Sequence, residues 1–332
     1  MTRRFDPRRV LRRVESTPAG YVAVELARER KQPLRRRFEL ARRGIDLGPL
    51  RLRSRSWISE HPFRAMASLV GAPSRSGPVW AVTMVRDEEV RIEGAVRQLL
   101  DGGVDVVVVA DNLSTDRTAS LLADLATELP LVVVSDREPA YYQGPKMSIL
   151  ARAAARCGAS WVVPFDADEL WYGVGEPLAT RLRSIREDAA VAPVFDYLPE
   201  QASSASSRPY DDFVWRTAEP VTTKVAFRAH LLASLNSGNH SVAQPVTRCH
   251  GALEINHYPF LSFDHFVAKA RQGAAALDAT DFPDAIGGHW RTWGGAADGE
   301  LEQHWEEQLH GRAVRDPRPA RAYFERSRTR AR

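Results

Sequence analysis

The chain has 332 residues, of which 44% are hydrophobic, and a formal net charge of +4 at pH 7. It contains no run of about 18 apolar residues, which excludes a transmembrane helix, and its basic N-terminus lacks the apolar segment of a secretory signal. With only Cys157 and Cys249, the sequence also excludes a disulfide framework. We therefore expect a soluble, cytoplasmic globular protein, long enough for one large domain or two small ones.

Positive charge is concentrated at both ends of the chain. Residues 1–75 carry a balance of +12 and residues 312–332 a balance of +6, whereas residues 76–311 carry −14. Two interpretations stay open: a solvated surface, or a patch that contacts an anionic partner. We expect no nucleic-acid partner. We treat residues 1–76 as a basic helical extension that either binds the anionic inner face of a membrane or packs on the following domain.

A regular pattern begins after the linker-like segment GAPSRSGP at 71–78. Continuous apolar runs predict buried strands, and the segments between them have the spacing of amphipathic helices. The predicted strands are 79–85, 104–110, 131–135 and 161–165, and the predicted helices lie within 87–103, at about 117–128 and at about 146–157. This alternation predicts an α/β fold with a mostly parallel central sheet and helices on both faces. We place one domain at 77–310, followed by an Arg-rich tail at 311–332.

Each predicted strand is followed by polar residues, namely RDEE at 86–89, DNLSTD at 111–116, SDRE at 135–138 and DADE at 166–169. An acidic residue after a strand is typical of a turn, but ligands bind outside the carboxyl ends of parallel strands, and four polar clusters there predict a site. Asp166 and Asp168 are close enough to repel unless a cation lies between them. A hard ion such as Mg²⁺ or Mn²⁺ holding a diphosphate satisfies this requirement. The sequence lacks the Gly-rich motifs of P-loop and dinucleotide-binding folds.

The order of motifs from 79 to 172 resembles the GT-A glycosyltransferases, and within them a family-2-like group. That group has Lys-Asn-Glu, Gly-Val-Asp, Asp-Asn/Asp-x-Ser-Thr-Asp and Trp-(apolar)-Asp-x-Asp-Glu-Phe, and this chain has RDE, GVD, DNLSTD and WVVPFDADEL in the same order. Arg86 and Asp87 replace Lys-Asn, and Leu170 replaces Phe. The resemblance implies a GT-A (nucleotide-diphospho-sugar transferase) fold. It also implies metal-dependent, inverting transfer of a sugar from a nucleoside diphosphate sugar to a saccharide or lipid-linked acceptor.

The second half of the chain resembles the same group through TTKVAFRAH, NSGNHSV and INHYPFLSFDHFVAKARQG. The resemblance implies that Asp166 and Asp168 hold Mn²⁺ or Mg²⁺, often with a later histidine. His240 and His257 are the two candidates for that ligand, although a single histidine can also be a hydrogen-bonded structural residue.

Contacts to the donor are implied for residues at the ends of the first two strands. Asp111 and Asn112 would hydrogen-bond the base or ribose, Glu88 would reach the same nucleoside, and Thr83 would add backbone contacts. Lys146 begins a predicted helix, where it either meets a phosphate or is a solvated helix-start residue.

An inverting transfer needs a base that takes the proton of the acceptor hydroxyl. In the interval after the Asp-x-Asp where related enzymes carry this carboxylate, the chain has Glu254 and Asp264, and Asp281 lies a little beyond it. We predict Asp264, although its position at a helix start also suits capping. In the segment GGHWRTWGG at 287–295, Trp290 is either an aromatic platform for a sugar ring or ordinary packing.

Two other functions stay open from the sequence. A nucleotidyltransferase also combines a mostly parallel sheet with metal-bound carboxylates, but a Gly-rich phosphate loop after the first strand is typical of it, and this chain has RDEE there. A non-catalytic, polyanion-binding protein on the same fold would explain the Arg-rich ends, and loss of metal binding with folding intact would favour it.

Overall fold

The computed structural model describes residues 77–199, 213–242, 246–280, 287–310 and 314–315. The predictions of helices, membrane contact or packing for residues 1–76 therefore lie outside the described residues, as does nearly all of the Arg-rich tail. Within the described ranges, no helix combines the length and the apolar character that a membrane crossing requires.

Strands and helices alternate along the first half of the described chain, as the apolar pattern predicted. The strands in the described ranges are β1 (Val79–Val85), β2 (Val106–Asp111), β3 (Leu131–Ser135), β4 (Trp161–Pro164), β5 (Glu169–Gly173), β6 (Ala189–Leu198), β7 (Trp215–Arg216), β8 (Thr222–Arg228), β9 (Arg248–Cys249), β10 (Leu253–His257) and β11 (Val314–Arg315). The α-helices there are α1 (Ile92–Asp101), α2 (Thr118–Glu128), α3 (Gln143–Arg156), α4 (Leu178–Ser184), α5 (Phe263–Asp278), α6 (Gly288–Gly295) and α7 (Asp298–His310).

The strands pair in the order β11-β7-β6-β8-β4-β1-β2-β3, with β9 and β10 also pairing with β6, and β5 with β10. Strands β3, β2, β1 and β4 are parallel, which confirms the predicted α/β fold with a mostly parallel central sheet. Strand β8 is antiparallel to both β4 and β6, so the second half of the sheet is mixed. The chain places β2 on one side of β1 and β4 on the other, and a crevice is expected where the order reverses in this way.

Both faces of the parallel strands are buried. In β1, Val79 and Ala81 belong to the apolar cluster that includes α1, whereas Trp80 and Val82 belong to the cluster that includes α3. Successive side chains of a strand point to opposite faces of a sheet, so helices on both sides require an apolar residue at every position. This is why β1, apart from Thr83, is a continuous apolar run rather than an alternating one.

The helices after β10 form an apolar cluster of their own. Its buried members are Phe260, Phe266, Leu301, Trp305 and Leu309. Phe266 of α5 packs edge-on against Trp293 of α6, with 5.3 Å between the ring centroids. This cluster fixes α5 and α6 beside the carboxyl ends of the parallel strands, where both helices contribute to the cavity described next.

Candidate active site

A cavity of about 440 Å³ lies at the carboxyl ends of β1, β2 and β4. Arg86, Asn112 and Asp166, which directly follow or lie two residues beyond these strands, line it. Its other wall includes Lys269 of α5 and Trp290 of α6. The structure therefore brings residues from both halves of the chain to the sheet edge that the sequence predicted as a site.

The Asp-x-Asp-Glu segment forms a turn between β4 and β5. The Asp166 carbonyl accepts a hydrogen bond from the Glu169 N–H at 3.0 Å, and Glu169 Oε2 accepts from the Asp166 N–H at 3.1 Å. Glu169 Oε2 also accepts a hydrogen bond from Trp171 Nε1 at 3.2 Å. Lys224 of β8 forms ion pairs with the carboxylates of Asp166 and Glu169. Burial lowers the pKa of Lys224, but Asp166 and Glu169 outweigh it and raise this pKa above its usual value. Glu169 thus holds the turn in place rather than facing solvent.

Asp166 is also held through its other carboxylate oxygen. Oδ1 accepts hydrogen bonds from Gln143 Nε2 at 3.2 Å and from Asn239 Nδ2 at 3.4 Å. Gln143 Oε1 accepts from the Gly238 N–H at 2.6 Å. Asn239 is fully buried and has a φ of 59°, a left-handed conformation in which asparagine is enriched. Two amide side chains therefore fasten the turn around residue 238 to Asp166.

Three cationic groups meet one oxygen of Asp168. Oδ2 lies 2.5 Å from Lys269 Nζ, 3.5 Å from Arg91 Nη1 and 3.6 Å from His257 Nε2. Burial by itself raises the pKa of this carboxyl, but Lys269, His257 and Arg91 outweigh it and hold the pKa well below its usual value. Asp168 is therefore a carboxylate anion although its side chain is only 6% exposed.

His257 bridges two carboxylates. Its Nδ1 lies 2.7 Å from Asp196 Oδ1, and its Nε2 faces Asp168. Asp196 is the register partner of His257 in the parallel β6–β10 pair, so the sheet itself sets this contact. Burial lowers the pKa of His257, but Asp168 and Asp196 outweigh it and raise this pKa to about 10.

The donors at this turn fit a divalent cation. Carboxylate oxygens and a neutral imidazole nitrogen suit Mn²⁺, so metal binding would require His257 to lose its proton, and Asp196 contacts the other ring nitrogen, as a carboxylate commonly does for a metal-bound histidine. In the part of the chain that the structure describes, no group of three or more His, Cys, Asp or Glu side chains is arranged to hold a metal. The pair of Asp168 and His257 therefore suits an ion that takes its remaining ligands from water or from a diphosphate.

His240, the other predicted histidine ligand, lies elsewhere in the cavity wall. Its Nδ1 is 2.8 Å from the Thr223 carbonyl oxygen and 3.3 Å from Thr222 Oγ1. Its ring covers Gly238, where an added Cβ would lie 2.4 Å from His240 Nε2. Of the two predicted histidines, His257 is the one in contact with Asp168.

The side chains at the end of β2 are occupied in different ways. Asn112 lines the cavity, and its Nδ2 donates to Asp136 Oδ2 at 2.8 Å and to the Glu138 carbonyl at 2.6 Å. Asp111 does not line the cavity, and its buried Oδ1 accepts no hydrogen bond from the described residues. Asn112 is therefore fixed by internal hydrogen bonds, whereas Asp111 has an unused acceptor.

Two of the predicted donor contacts lie behind the cavity wall. Lys146 is fully buried, with Nζ 2.7 Å from Asp136 Oδ2 and 2.8 Å from the Glu138 carbonyl oxygen. Thr83 is also fully buried and donates to the carbonyl of Met84. Neither residue lines the cavity. The prediction that Lys146 meets a phosphate or solvent is therefore wrong, because its ammonium group neutralises Asp136 inside the protein.

Asp264 is not placed to act as a base in this cavity. It is exposed in the first turn of α5 and does not line the cavity. The N-cap of α5 is Ser262, whose Oγ accepts from the His265 N–H at 3.2 Å. An acidic residue in a first turn complements the helix dipole, which accounts for Asp264 without a catalytic role. Glu254 does not line the cavity either, and Asp281 lies outside the described residues.

Glu88 and Trp290, two of the predicted site residues, both line the cavity. Glu88 is held by Arg91, which donates to both carboxylate oxygens at 2.7 and 2.8 Å. The Trp290 ring lies perpendicular to that of Trp293, with centroids 5.5 Å apart, and rests on Gly273, where an added Cβ would approach it to 3.1 Å. Trp290 is therefore packed against α5 and also contributes to the cavity wall.

Several residues of the site were not predicted. They are Gln143, Asp196, Lys224, Asn239 and Lys269, all of which contact a predicted ligand. One signal in the sequence pointed toward the two lysines among them. The chain has only four lysines, at 31, 146, 224 and 269, and the structure pairs the last three with aspartates. The compact ammonium group of lysine suits such a contact with a single carboxylate.

No protein-family model matches the sequence, and none of the curated proteins does. Among solved structures, the chain is similar to TarS residues 1–349 from S. aureus, with 14% identity, a TM-score of 0.36, and coverage of 65% of this chain and 69% of that one. The same TarS fragment in complex with UDP-GlcNAc gives 13% identity, a TM-score of 0.35, and coverage of 65% and 70%. The chain is also similar to glucosyl-3-phosphoglycerate synthase from Mycobacterium tuberculosis in complex with Mn²⁺, UDP and glucosyl-3-phosphoglycerate. The identity is 20%, the TM-score is 0.29, and the match covers 50% of this chain and 60% of that one. Likenesses this distant decide neither substrate nor mechanism, which rest on the site itself.

Proposed function

We propose that this chain is a GT-A-type glycosyltransferase that moves a sugar, with inversion, from a nucleoside diphosphate sugar to an acceptor hydroxyl, assisted by Mn²⁺ or Mg²⁺. The observation that carries the proposal is the Asp-x-Asp turn. Both of its carboxylates line one cavity at the carboxyl edge of a parallel sheet, and His257 faces Asp168 from the neighbouring strand. The order of the motifs along the chain and the position of the Asp-x-Asp turn in the fold therefore both support this proposal.

The donor's diphosphate would lie among the charged residues of the cavity. Arg86, Lys224 and Lys269 supply positive charge there. A divalent cation held by Asp168 and His257 would neutralise the charge that develops on the leaving diphosphate. Asn112, at the end of β2, would face the nucleoside, with Asp111 behind it.

The transfer itself is a single displacement. The acceptor oxygen bonds to the anomeric carbon, the bond from that carbon to the diphosphate oxygen breaks, and the hydroxyl proton passes to a base. Asp196 is the cavity carboxylate that lies outside both the Asp-x-Asp-Glu turn and the Glu88–Arg91 pair. We therefore propose Asp196, instead of Asp264, as the base. Trp290 would belong to the part of the cavity wall that contacts an acceptor saccharide.

The main chain after β1 argues against the alternative of a nucleotidyltransferase. A phosphate loop needs free backbone N–H groups. Here the Asp87 N–H donates to Ser114 Oγ at 3.0 Å and the Glu88 N–H to Thr118 Oγ1 at 2.8 Å. The next N–H, that of Glu89, is also used internally. This segment braces β1 against the start of α2 rather than forming a phosphate cradle.

A thermal-shift screen tests the proposal. UDP, GDP, ADP and TDP are each added with and without Mn²⁺, and one of them should raise the melting temperature in a Mn²⁺-dependent way, because a ligand of the folded state stabilises it. The matching nucleotide sugars are then assayed for release of the nucleoside diphosphate. In Asp196→Asn, turnover should fall about 100-fold or more even at saturating Mn²⁺ and donor, and because Asp196 also contacts His257, Mn²⁺ affinity should weaken as well. Retained turnover in that variant would remove Asp196 as the base, and no response to any nucleotide would refute the donor class.

A further inference from the structure

Lys269 occupies the oxygen of Asp168 that faces His257. Its Nζ is 2.5 Å from Asp168 Oδ2, whereas Arg91 and His257 approach the same oxygen only to 3.5 and 3.6 Å. Lys269 is therefore the cationic group in direct contact with Asp168 Oδ2, and Arg91 and His257 are about 1 Å farther from that oxygen. Two cations cannot share one oxygen at contact distance without strong mutual repulsion.

The two lysines of the Asp-x-Asp turn differ in how firmly they are held. The Lys224 side chain is 6% exposed and pairs with two carboxylates from within strand β8. The Lys269 side chain is 22% exposed, and within the described residues it pairs with one carboxylate, bonds to the Pro259 carbonyl at 3.3 Å and lies 5.9 Å from the centroid of the Phe260 ring. It projects into the cavity from α5 on a long, flexible stem. Lys269 can leave its carboxylate at lower cost than Lys224.

We propose that Lys269 is a tethered counter-ion of Asp168, which a divalent metal ion displaces, and that the displaced ammonium group then binds the diphosphate. This inference rests on the proposed function, since it assumes a metal and a diphosphate in the same cavity. Without metal, the Lys269–Asp168 pair compensates a nearly buried carboxylate that would otherwise be costly. With metal, the same positive charge moves to the ligand. Lys269 thus couples metal binding to diphosphate binding.

The test compares full-length wild-type protein with Lys269→Met, using Mn²⁺ alone and then the Mn²⁺–pyrophosphate complex as probes. Free Mn²⁺ is followed by its EPR signal and pyrophosphate binding by calorimetry. If the ion pair leaves Asp168 available in about one molecule in ten, its removal should tighten Mn²⁺ binding about tenfold. The same variant should bind Mn²⁺–pyrophosphate more weakly, by about fivefold to tenfold. A residue that merely supports the fold would weaken both ligands together.

Lys269→Arg is the matched control, since it keeps the charge and should keep Mn²⁺ affinity near the wild-type value. Unchanged or weaker Mn²⁺ binding by folded Lys269→Met would overturn the proposal, as would the lack of Mn²⁺ binding by both proteins, because Lys269 would then be a permanent counter-ion. Opposite shifts for the two probes in a protein that transfers no sugar would support the exchange and refute only the proposed reaction. Melting temperatures establish that each variant is folded.

Discussion

The two ends of the cavity use charge in opposite ways. Behind Asn112, Lys146 and Asp136 form a fully buried ion pair whose hydrogen bonds all lie inside the protein. At the Asp-x-Asp turn, by contrast, Lys269 and Asp168 pair at the cavity surface. A buried pair without access to solvent fixes shape, because breaking it leaves a charge uncompensated. An ion pair at a cavity can exchange one partner for a bound ligand. We therefore call the part of the cavity around Asn112 and the Lys146–Asp136 pair the rigid end, and the part around Asp168 and Lys269 the reactive end.

The largest effect is expected at the turn. Asp168→Asn removes the charge on which Lys269, Arg91 and His257 converge. Turnover should fall by about 100-fold to 1,000-fold, the range typical for loss of one preorganised electrostatic contact, and Mn²⁺-dependent nucleotide stabilisation should disappear. The assay is nucleoside diphosphate release under saturating donor. A variant that melts near wild type yet keeps its affinity for nucleotide with Mn²⁺ would show that the reactive end has been placed wrongly.

The buried pair should respond in stability rather than in chemistry. Lys146→Met leaves Asp136 without its counter-ion, and burial already raises the pKa of that carboxyl and lowers that of Lys146. We expect a loss of about 3–5 kcal/mol in the free energy of unfolding, measured by urea denaturation. The double variant Lys146→Met, Asp136→Leu should recover much of this loss. Loss of pyrophosphate affinity in a stable Lys146→Met protein would instead restore Lys146 as a phosphate ligand and break the comparison.

The sequence was informative wherever a functional residue follows its own strand. Asn112 and Asp166 could be placed because β2 and β4 are unmistakable apolar runs and the carboxyl ends of parallel strands coincide. Lys224 could not, because it reaches Asp166 across 58 residues through the antiparallel β4–β8 pair, which no local pattern specifies. Lys146 shows the converse limit: its position at a helix start was predicted nearly correctly, but burial was decided by the tertiary packing of α3. The prediction of Asp264 as the base failed for the same reason, because the packing of α5 leaves Asp264 exposed and outside the cavity lining.

The pH dependence of stability tests whether burial and nearby positive charge keep His265, at the start of α5, from binding a proton. Burial, together with Arg91 and Lys269, lowers the pKa of His265 to about 3, and its Nδ1 accepts a hydrogen bond from the Leu261 N–H at 3.1 Å. His265 therefore stays neutral in the native state at pH values below about 6.5, where the same side chain binds a proton in the unfolded chain. Stability should be greatest above that pH and should fall as the pH drops toward 3, with this group contributing about 1.4 kcal/mol per pH unit at most.

His265→Gln isolates this contribution, because the acid titration of the carboxylates is common to both proteins. The variant should show a shallower loss of unfolding free energy between pH 6 and pH 4, measured by urea denaturation at each pH. Parallel curves for the two proteins would mean that His265 takes up a proton normally, and that its burial and the positive charge of Arg91 and Lys269 affect it less than the structure indicates.

The smallest effect is expected from Asp111, which lies behind Asn112 and would meet the nucleoside only if ligand binding opened this part of the cavity wall. Its Oδ1 is buried and accepts no hydrogen bond from the described residues, so Asp111→Ala removes no internal bond at that atom and should leave the melting temperature unchanged or slightly raised. If the nucleoside supplies the missing donor, affinity for the free nucleoside diphosphate and for the nucleotide sugar should fall equally, by about threefold to tenfold. Asn112→Ala is the contrast, because Asn112 Nδ2 bonds Asp136 and Glu138, and its loss should lower the melting temperature as well. An Asp111→Ala protein that binds both nucleotides normally but responds differently to acceptor would place the nucleoside elsewhere, and the rigid end of the cavity would then belong to the acceptor.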